Sequence, residues 1–249
     1  MTKPENRNPK RILICHVLAC FCMACFLLLL ALVVTGQTGA FDDTIRHAFY
    51  EMRTEGLTRI LILITMTTDK VVIIALCLIL LIIPHTRLTF GVPLSAGALG
   101  TILLNSVIKH LVQRERPVAI RLVEESGFSF PSGHSITSMF FFGMAIWLIW
   151  HNMEDPDDPV VLPDSPDGSI GSSMPALHYG KRTAIILTIL LLIPVLCVGL
   201  SRVYLGVHFP TDVLAGWALG GCLIYVEVII IDRLEKRRQN RTLPGSRSK

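Results

Sequence analysis

The stretch "GFSFPSGHSITSMFFFGMAIWLIW", Gly127 to Trp150, sets a polar door in front of an oily run. Pro131, Ser132, Gly133 and His134 lead straight into apolar residues that close on Trp147 and Trp150. A membrane anchor needs no such door, so something polar must be held there. A helix start suits that purpose, because its first N–H groups have no partner within the helix and attract anions. Trp147 and Trp150 fall where an aromatic belt is expected.

The rest of the chain is equally oily. Its 249 residues are 51% hydrophobic and only 17% charged, less charge than a soluble domain of this length carries. The mean hydropathy is +0.57. A hydrocarbon core about 30 Å thick needs about 20 apolar residues per helix. Six spans can be drawn, at 12–34, 71–83, 90–109, 135–150, 183–200 and 213–231. The second is short, and the apolar run Leu57–Met66 before it is expected to form a further helix dipping into the bilayer. The first run is too long for a signal-peptide core and reads as an uncleaved span. The expected fold is therefore an all-α polytopic membrane bundle of about six transmembrane helices plus a short interfacial helix.

Lys and Arg flank the ends of the chain, at Lys3, Arg7, Lys10 and Arg11 and again at Arg233, Lys236, Arg237, Arg238 and Arg241. The positive-inside rule then puts both termini in the cytoplasm. The reading is one integral-membrane domain over 1–249, with basic cytoplasmic tails at 1–11 and 233–249 and a cytoplasmic linker at 151–182. The net charge of +4 comes largely from the tails and suggests membrane orientation, not nucleic-acid binding. All seven cysteines lie in apolar runs, so they read as small hydrophobes and not as a disulfide framework or a metal site.

Other features read as structural. Phe41, Ile45, Ala48, Phe49 and Met52 recur at helical spacing within 41–59, predicting an interfacial helix capped by Asp42 or Asp43. Gly216 with Gly220, and Ala96 with Gly100, predict close helix packing. Glu227 is an intramembrane acid, assigned a structural pairing near Arg233. Ser201 reads as a turn cap as readily as a catalytic part.

Three polar clusters interrupt the oily plan: "KHLVQRERP" (109–117 for its Lys to its Pro), "PSGH" (131–134) and "SRVYLGVHFPTD" (201–212). The first ends span three and the second begins span four, so they share a loop. The third follows two crossings later, back on that face. Lys109, Arg116, Arg202, His134 and His208 therefore converge on the outer side of one bundle. Three cations and two histidines suit a multiply charged oxyanion, and phosphoryl transfer is catalysed chiefly by positioning and electrostatics. Lys109 and Arg116, about two helical turns apart, are expected on one helix face if the helix continues. Ser132 caps span four, Gly133 lets the backbone approach an anion, and His134 is placed to protonate a leaving oxygen. Asp212 accepts from one ring nitrogen of His208, which leaves the other free to attack phosphorus.

These residues meet the pattern K-x6-R-P, P-S-G-H, S-R-x5-H-x3-D without a substitution, and in this the chain resembles the type 2 phosphatidic-acid phosphatase superfamily, which also holds vanadium-dependent haloperoxidases. The resemblance implies phosphate binding by Lys109, Arg116, Ser132, Gly133 and Arg202. It implies a general acid at His134, a nucleophile at His208, an orienting acid at Asp212 and no metal cofactor. Asp69, Glu115, Glu124 and Glu125 form no dense carboxylate cluster beside the cations. The bacterial branch of membrane lipid phosphatases is the expected place, in the cytoplasmic membrane with the site facing outward. Undecaprenyl diphosphate, phosphatidylglycerophosphate and phosphatidic acid are the candidate substrates. The alternative is a lipid- or anion-binding transporter that uses the same cations without hydrolysis; haloperoxidase activity sits poorly with the membrane spans.

Overall fold

In the computed structural model, residues 9–118, 121–151 and 180–242 are described. Among them every regular element is helical: α1 (Pro9–Val34), α2 (Gly39–Glu51), α3 (Glu55–Met66), α4 (Lys70–Ile82), the single turn α5 (Pro84–Thr86), α6 (Val92–Val112), α7 (Gly133–His151), α8 (Lys181–Tyr204) and α9 (Pro210–Thr242). A π-helical turn, Arg87–Gly91, leads into α6. Five stretches of the described residues are long and apolar enough to cross a membrane. The helices α3 and α4, bent by 43° at a short break, make a sixth if they count as one span. Five to six candidate spans agree with the expected bundle of about six, and the bent pair joins the run 57–66 to the short second span. Most of the linker expected at 151–182, and the outermost parts of both tails, lie outside the described residues. The described part of the C-terminal tail continues α9 to Thr242.

Helix α7 is the hub, packing against α6, α8 and α9. Between α4, α6 and α7 lies a dry core of Ile73, Leu94, Ala98, Phe140, Met144 and Leu148. A second core joins Phe26 of α1 to Phe130, Ile136, Ala215 and Leu219. Hydrocarbon surrounding the bundle does not drive helices together, so close approach depends on small residues. Gly216 and Gly220 act as predicted: an added Cβ would lie 2.8 Å from Ser135 Cβ and 2.9 Å from the Ser132 carbonyl oxygen at Gly216, and 2.8 Å from Met139 Cβ at Gly220. The pair Ala96 and Gly100 does not act so. Ala96 is exposed, and nothing lies within 4 Å of a Cβ built at Gly100. The packing glycine of α6 is Gly97, whose α-carbon faces the Phe140 ring so closely that a Cβ would overlap it. The register is one residue off the pattern because the neighbour is a ring, not another small residue.

The helix expected from Phe41 to Met52 is α2, and the further helix expected at 57–66 is α3. The break at 52–54 is pinned by Arg53, which donates to the Tyr204 carbonyl oxygen through Nε (3.0 Å) and Nη2 (2.7 Å). The Thr54 amide donates to the Tyr204 hydroxyl at 2.9 Å. Thr54 then caps α3, and Asp69 caps α4 by accepting from the Val71 amide at 2.9 Å. Neither Asp42 nor Asp43 caps α2; Thr38 precedes it, and Asp42 is fully buried within its first turns.

Trp150 is half-buried and donates to Thr188 Oγ1 at 2.9 Å, so it ties α7 to α8 instead of serving only as a belt residue. Glu227 is half-buried in α9, about 22 Å along the axis from Asp212 at 1.5 Å per residue, remote from the polar clusters. The cysteines are free thiols.

Candidate active site

Helix α6 does not carry Lys109 and Arg116 on one face. It ends at Val112, and Gln113 adopts a left-handed conformation (φ 52°) whose amide closes on the Lys109 carbonyl. The chain then leaves the helix, and Arg116 reaches the site from an extended segment. The two cations converge because this segment folds back: the Ser129 amide donates to the Arg114 carbonyl at 2.8 Å, and Ser129 Oγ donates to the Glu115 carbonyl at 3.0 Å. Lys109 Nζ donates to the Phe128 carbonyl at 2.7 Å. Arg116 donates to the carbonyls of Gly127 (2.9 Å), Val207 (2.9 Å) and Ser126 (3.1 Å).

The second cluster opens α7. Ser132 directly precedes the helix, with its carbonyl accepting from the Ile136 amide at 3.0 Å and its hydroxyl accepting from Ser135 Oγ at 2.9 Å. Among the described residues no carbonyl accepts from the Gly133 or His134 amide. The positive end of α7 is thus presented where the cations gather. Close approach at Gly216 seats this end against α9, and the Ser132 amide donates to the Asp212 carbonyl at 3.0 Å.

The third cluster spans the turn from α8 to α9. The Arg202 carbonyl accepts from the Val207 and His208 amides (3.2 and 3.3 Å), and Gly206 at φ 78° makes the reversal possible. Pro210 then starts α9, as predicted. His208 Nδ1 lies 3.4 Å from Asp212 Oδ2, and His208 Nε2 lies 3.2 Å from Arg116 Nη1. Asp212 Oδ2 also accepts from the Phe209 amide at 2.9 Å. With Nδ1 facing a carboxylate and Nε2 facing a guanidinium donor, the tautomer that fits carries its proton on Nδ1. Burial first, then the charges of Arg116, Arg202 and Lys109, holds the His208 ring well below the usual imidazole range. The ring is therefore neutral near pH 7. Burial likewise draws Arg116 below its ordinary value, with Glu125 and Asp212 opposing.

Arg202 is 2% exposed. It donates to Thr65 Oγ1 at 3.0 Å and pairs with Glu125, while its Nε has no partner among the described residues. Glu125 also stands 3.6 Å from Arg116. In the sequence Glu125 is one of several scattered acids; among the described residues it is the carboxylate that pairs with both arginines. His134 lies within Coulombic range of Arg202, His208, Lys109 and Arg116. All eight residues singled out in the sequence thus gather at one end of the bundle. A cleft of about 390 Å³ opens there over Arg116, Glu125, Gly127 and Phe128. Ser201 is not part of it; its hydroxyl donates within α8, to Val198 at 2.6 Å.

Two participants were missed. Arg114 bonds Asp212 and Asp42, and Asp42 bonds Thr211. Position −2 from Arg116 carries no periodic cue, and an Asp near a helix start reads first as a cap.

The chain matches the PAP2 superfamily over residues 90–236. It is 35% identical to phosphatidylglycerophosphatase B of Bacillus subtilis (strain 168) over 138 residues, 55% of this chain and 56% of that protein. It is 30% identical to a decaprenylphosphoryl-5-phosphoribose phosphatase of Mycobacterium tuberculosis over 129 residues, 50% of this chain and 52% of that one. The chain spans about half the length of these curated relatives. The solved structure of a transmembrane PAP2-type phosphatidylglycerolphosphate phosphatase from Bacillus subtilis superposes with a TM-score of 0.70 at 26% identity, covering 86% of this chain and 96% of that one. The motif-bearing helices and the bundle that holds them agree, and the chain belongs to the PAP2 superfamily.

Proposed function

We propose that the protein is an integral-membrane lipid phosphatase that hydrolyses a phosphate monoester or diphosphate of a lipid. The observation that carries this reading is the setting of His208, with Asp212 at one ring nitrogen and Arg116 at the other. In the proposed mechanism Lys109, Arg116, Arg202 and the Ser132–Gly133 helix start bind the phosphate oxygens. Arg202 Nε, without a partner among the described residues, is a donor that such an anion would satisfy. Glu125 competes with the anion for the same arginines.

His208 Nε2 attacks phosphorus as the P–O bond to the lipid breaks, and His134 gives a proton to the leaving oxygen. Asp212 stabilises the ring as it becomes cationic. Water then attacks the phosphohistidine, His134 takes the proton back, and inorganic phosphate leaves with His208 restored.

The relatives support a lipid substrate, since one is named for phosphatidylglycerophosphate and another for a polyprenyl phosphoribose. Undecaprenyl diphosphate, phosphatidylglycerophosphate and phosphatidic acid are the first lipids to try. We place the protein in a bacterial cytoplasmic membrane with its pocket on the outer face and both termini inside. A phosphate-release screen over these lipids in detergent, with His208→Ala as blank, tests the activity. Release by wild type alone supports it; binding without release by either protein would favour transport. Reporter fusions at Thr242 test the orientation, and an extracytoplasmic C-terminus would overturn it.

A further inference from the structure

On one side of His208 stand the cations of the pocket. On the other stands a saturated polar network of which the mechanism above uses only Asp212. Arg114 donates from Nη1 to Asp212 Oδ1 at 2.6 Å and to Thr211 Oγ1 at 2.8 Å. Its Nη2 donates to Asp42 Oδ2 at 2.7 Å and to Thr38 Oγ1 at 3.0 Å. Asp42 in turn accepts from the Thr211 amide at 3.0 Å and from the Thr211 hydroxyl at 2.9 Å. Both carboxylates are fully buried, and the Phe209 ring stacks 4.0 Å from the Arg114 guanidinium. A planar fork is thus clamped between two acids from opposite ends of the chain. A lysine, with three donors, could not make all four of these bonds.

The network leaves Asp212 little freedom. Oδ1 is held by Arg114 and Oδ2 by the Phe209 amide, and the same carboxylate faces His208 Nδ1. Asp42 reaches this point from α2, so the outer helix is tied to the start of α9.

Resting on the proposed phosphatase reading, we infer that Arg114, held by Asp42, is a positioning residue for catalysis: it acts through Asp212 to set the orientation of His208, without touching phosphate. An acid that orients a catalytic imidazole works only while its own geometry is held, as with partners one shell out from a reacting centre.

The test uses the full-length protein in detergent with dioctanoyl phosphatidate, or whichever screened lipid the wild type cleaves fastest, and orthovanadate as a competing anion. For Arg114→Gln, kcat is expected to fall about 10–100-fold while KM and vanadate inhibition change by less than about threefold. Rapid-quench trapping should show slower phosphoenzyme formation by the same factor. Asp42→Asn should act in the same direction, and Thr211→Val, which deletes one hydroxyl from the network, more weakly. These two variants carry the test if Arg114→Gln does not fold. A raised KM and weaker vanadate inhibition with kcat kept would mean that Arg114 binds substrate directly. A lowered unfolding midpoint with kcat kept would mean a purely structural clamp. Either result overturns the inference. A wild type that releases no phosphate from any lipid fails the phosphatase reading itself, whereas an active wild type with unaltered variants fails this inference alone.

Discussion

The two flanks of His208 differ in how far their charges are matched. On the pocket side Arg116 and Arg202 share one carboxylate, Glu125, Lys109 bonds a backbone carbonyl, and Arg202 Nε is buried with no partner among the described residues. Toward α2, one guanidinium meets two carboxylates, and every heavy atom of the fork's end is bonded. Burying charge is tolerated only when it is paired and hydrogen-bonded. The Arg116–Arg202 flank is under-neutralised in the sense that suits an incoming dianion, while the α2 flank is saturated with hydrogen bonds and suits a scaffold. An incomplete set of partners marks a place for a ligand, and a complete set marks a support.

Several measurements would break or sharpen that contrast. The largest effect is expected from His208→Ala, which should lower kcat by at least about 10⁴-fold with the fold intact. A wild-type rate would remove it as nucleophile. Asp212→Asn should lower kcat about 10²–10⁴-fold and bind vanadate nearly as well, since it loses the charge and one of the two acceptor oxygens that hold Arg114 and face His208 but removes no phosphate-binding group of the proposed mechanism. Vanadate binding that collapsed along with kcat would show that the two flanks are not separable. Arg202→Lys keeps the charge but loses the fork, and should cost about 10²-fold in turnover; an unchanged rate would assign Arg202 a point-charge role.

A smaller effect tests the packing that joins the flanks. Gly216→Ala places a methyl against Ser135 Cβ and the Ser132 carbonyl, which should cost about 1–3 kcal/mol of stability. Activity should fall too, because the Ser132–Asp212 bond lengthens; full activity would show that the approach of α7 to α9 has slack.

The smallest effect concerns pH. The folded His208 ring resists protonation, whereas the unfolded chain takes up that proton near pH 6.5. This contribution to stability is present above about pH 6.5 and is lost as the pH falls below it. Thermal unfolding at pH 7.5 and pH 5 should therefore show a smaller pH-dependent drop for His208→Gln than for wild type. Equal drops would mean that the ring is not held neutral.

Much of this was readable without coordinates. Span count alone placed three distant motifs on one face, because each crossing reverses the side of the membrane. Gly216 and Gly220 were legible because an i, i+4 pair of small residues has one main use between helices. Other readings failed for definite reasons. The helical register of Lys109 and Arg116 assumed a continuing α6, but Gln113 turns left-handed and ends it. Ala96 and Gly100 fitted a pattern that Gly97 satisfies in fact, since a bulky Phe140 ring chose the register. Asp42 looked like a cap because its neighbours in sequence are all that a local rule can see.

What the sequence determined by itself was the oily bundle, that its polar clusters gather at one common end, and the chemical types assembled there. These follow from hydrophobic length and alternation of faces, which are local and additive along the chain. Only the tertiary structure decided which partners those groups take: that Glu125 faces two arginines, that Arg202 keeps a free donor, and that Arg114 joins Asp42 to Asp212. Such pairings depend on where a loop folds back and which helices meet, and a hydrogen bond between residues 72 or 169 positions apart leaves no mark on the neighbours of either one.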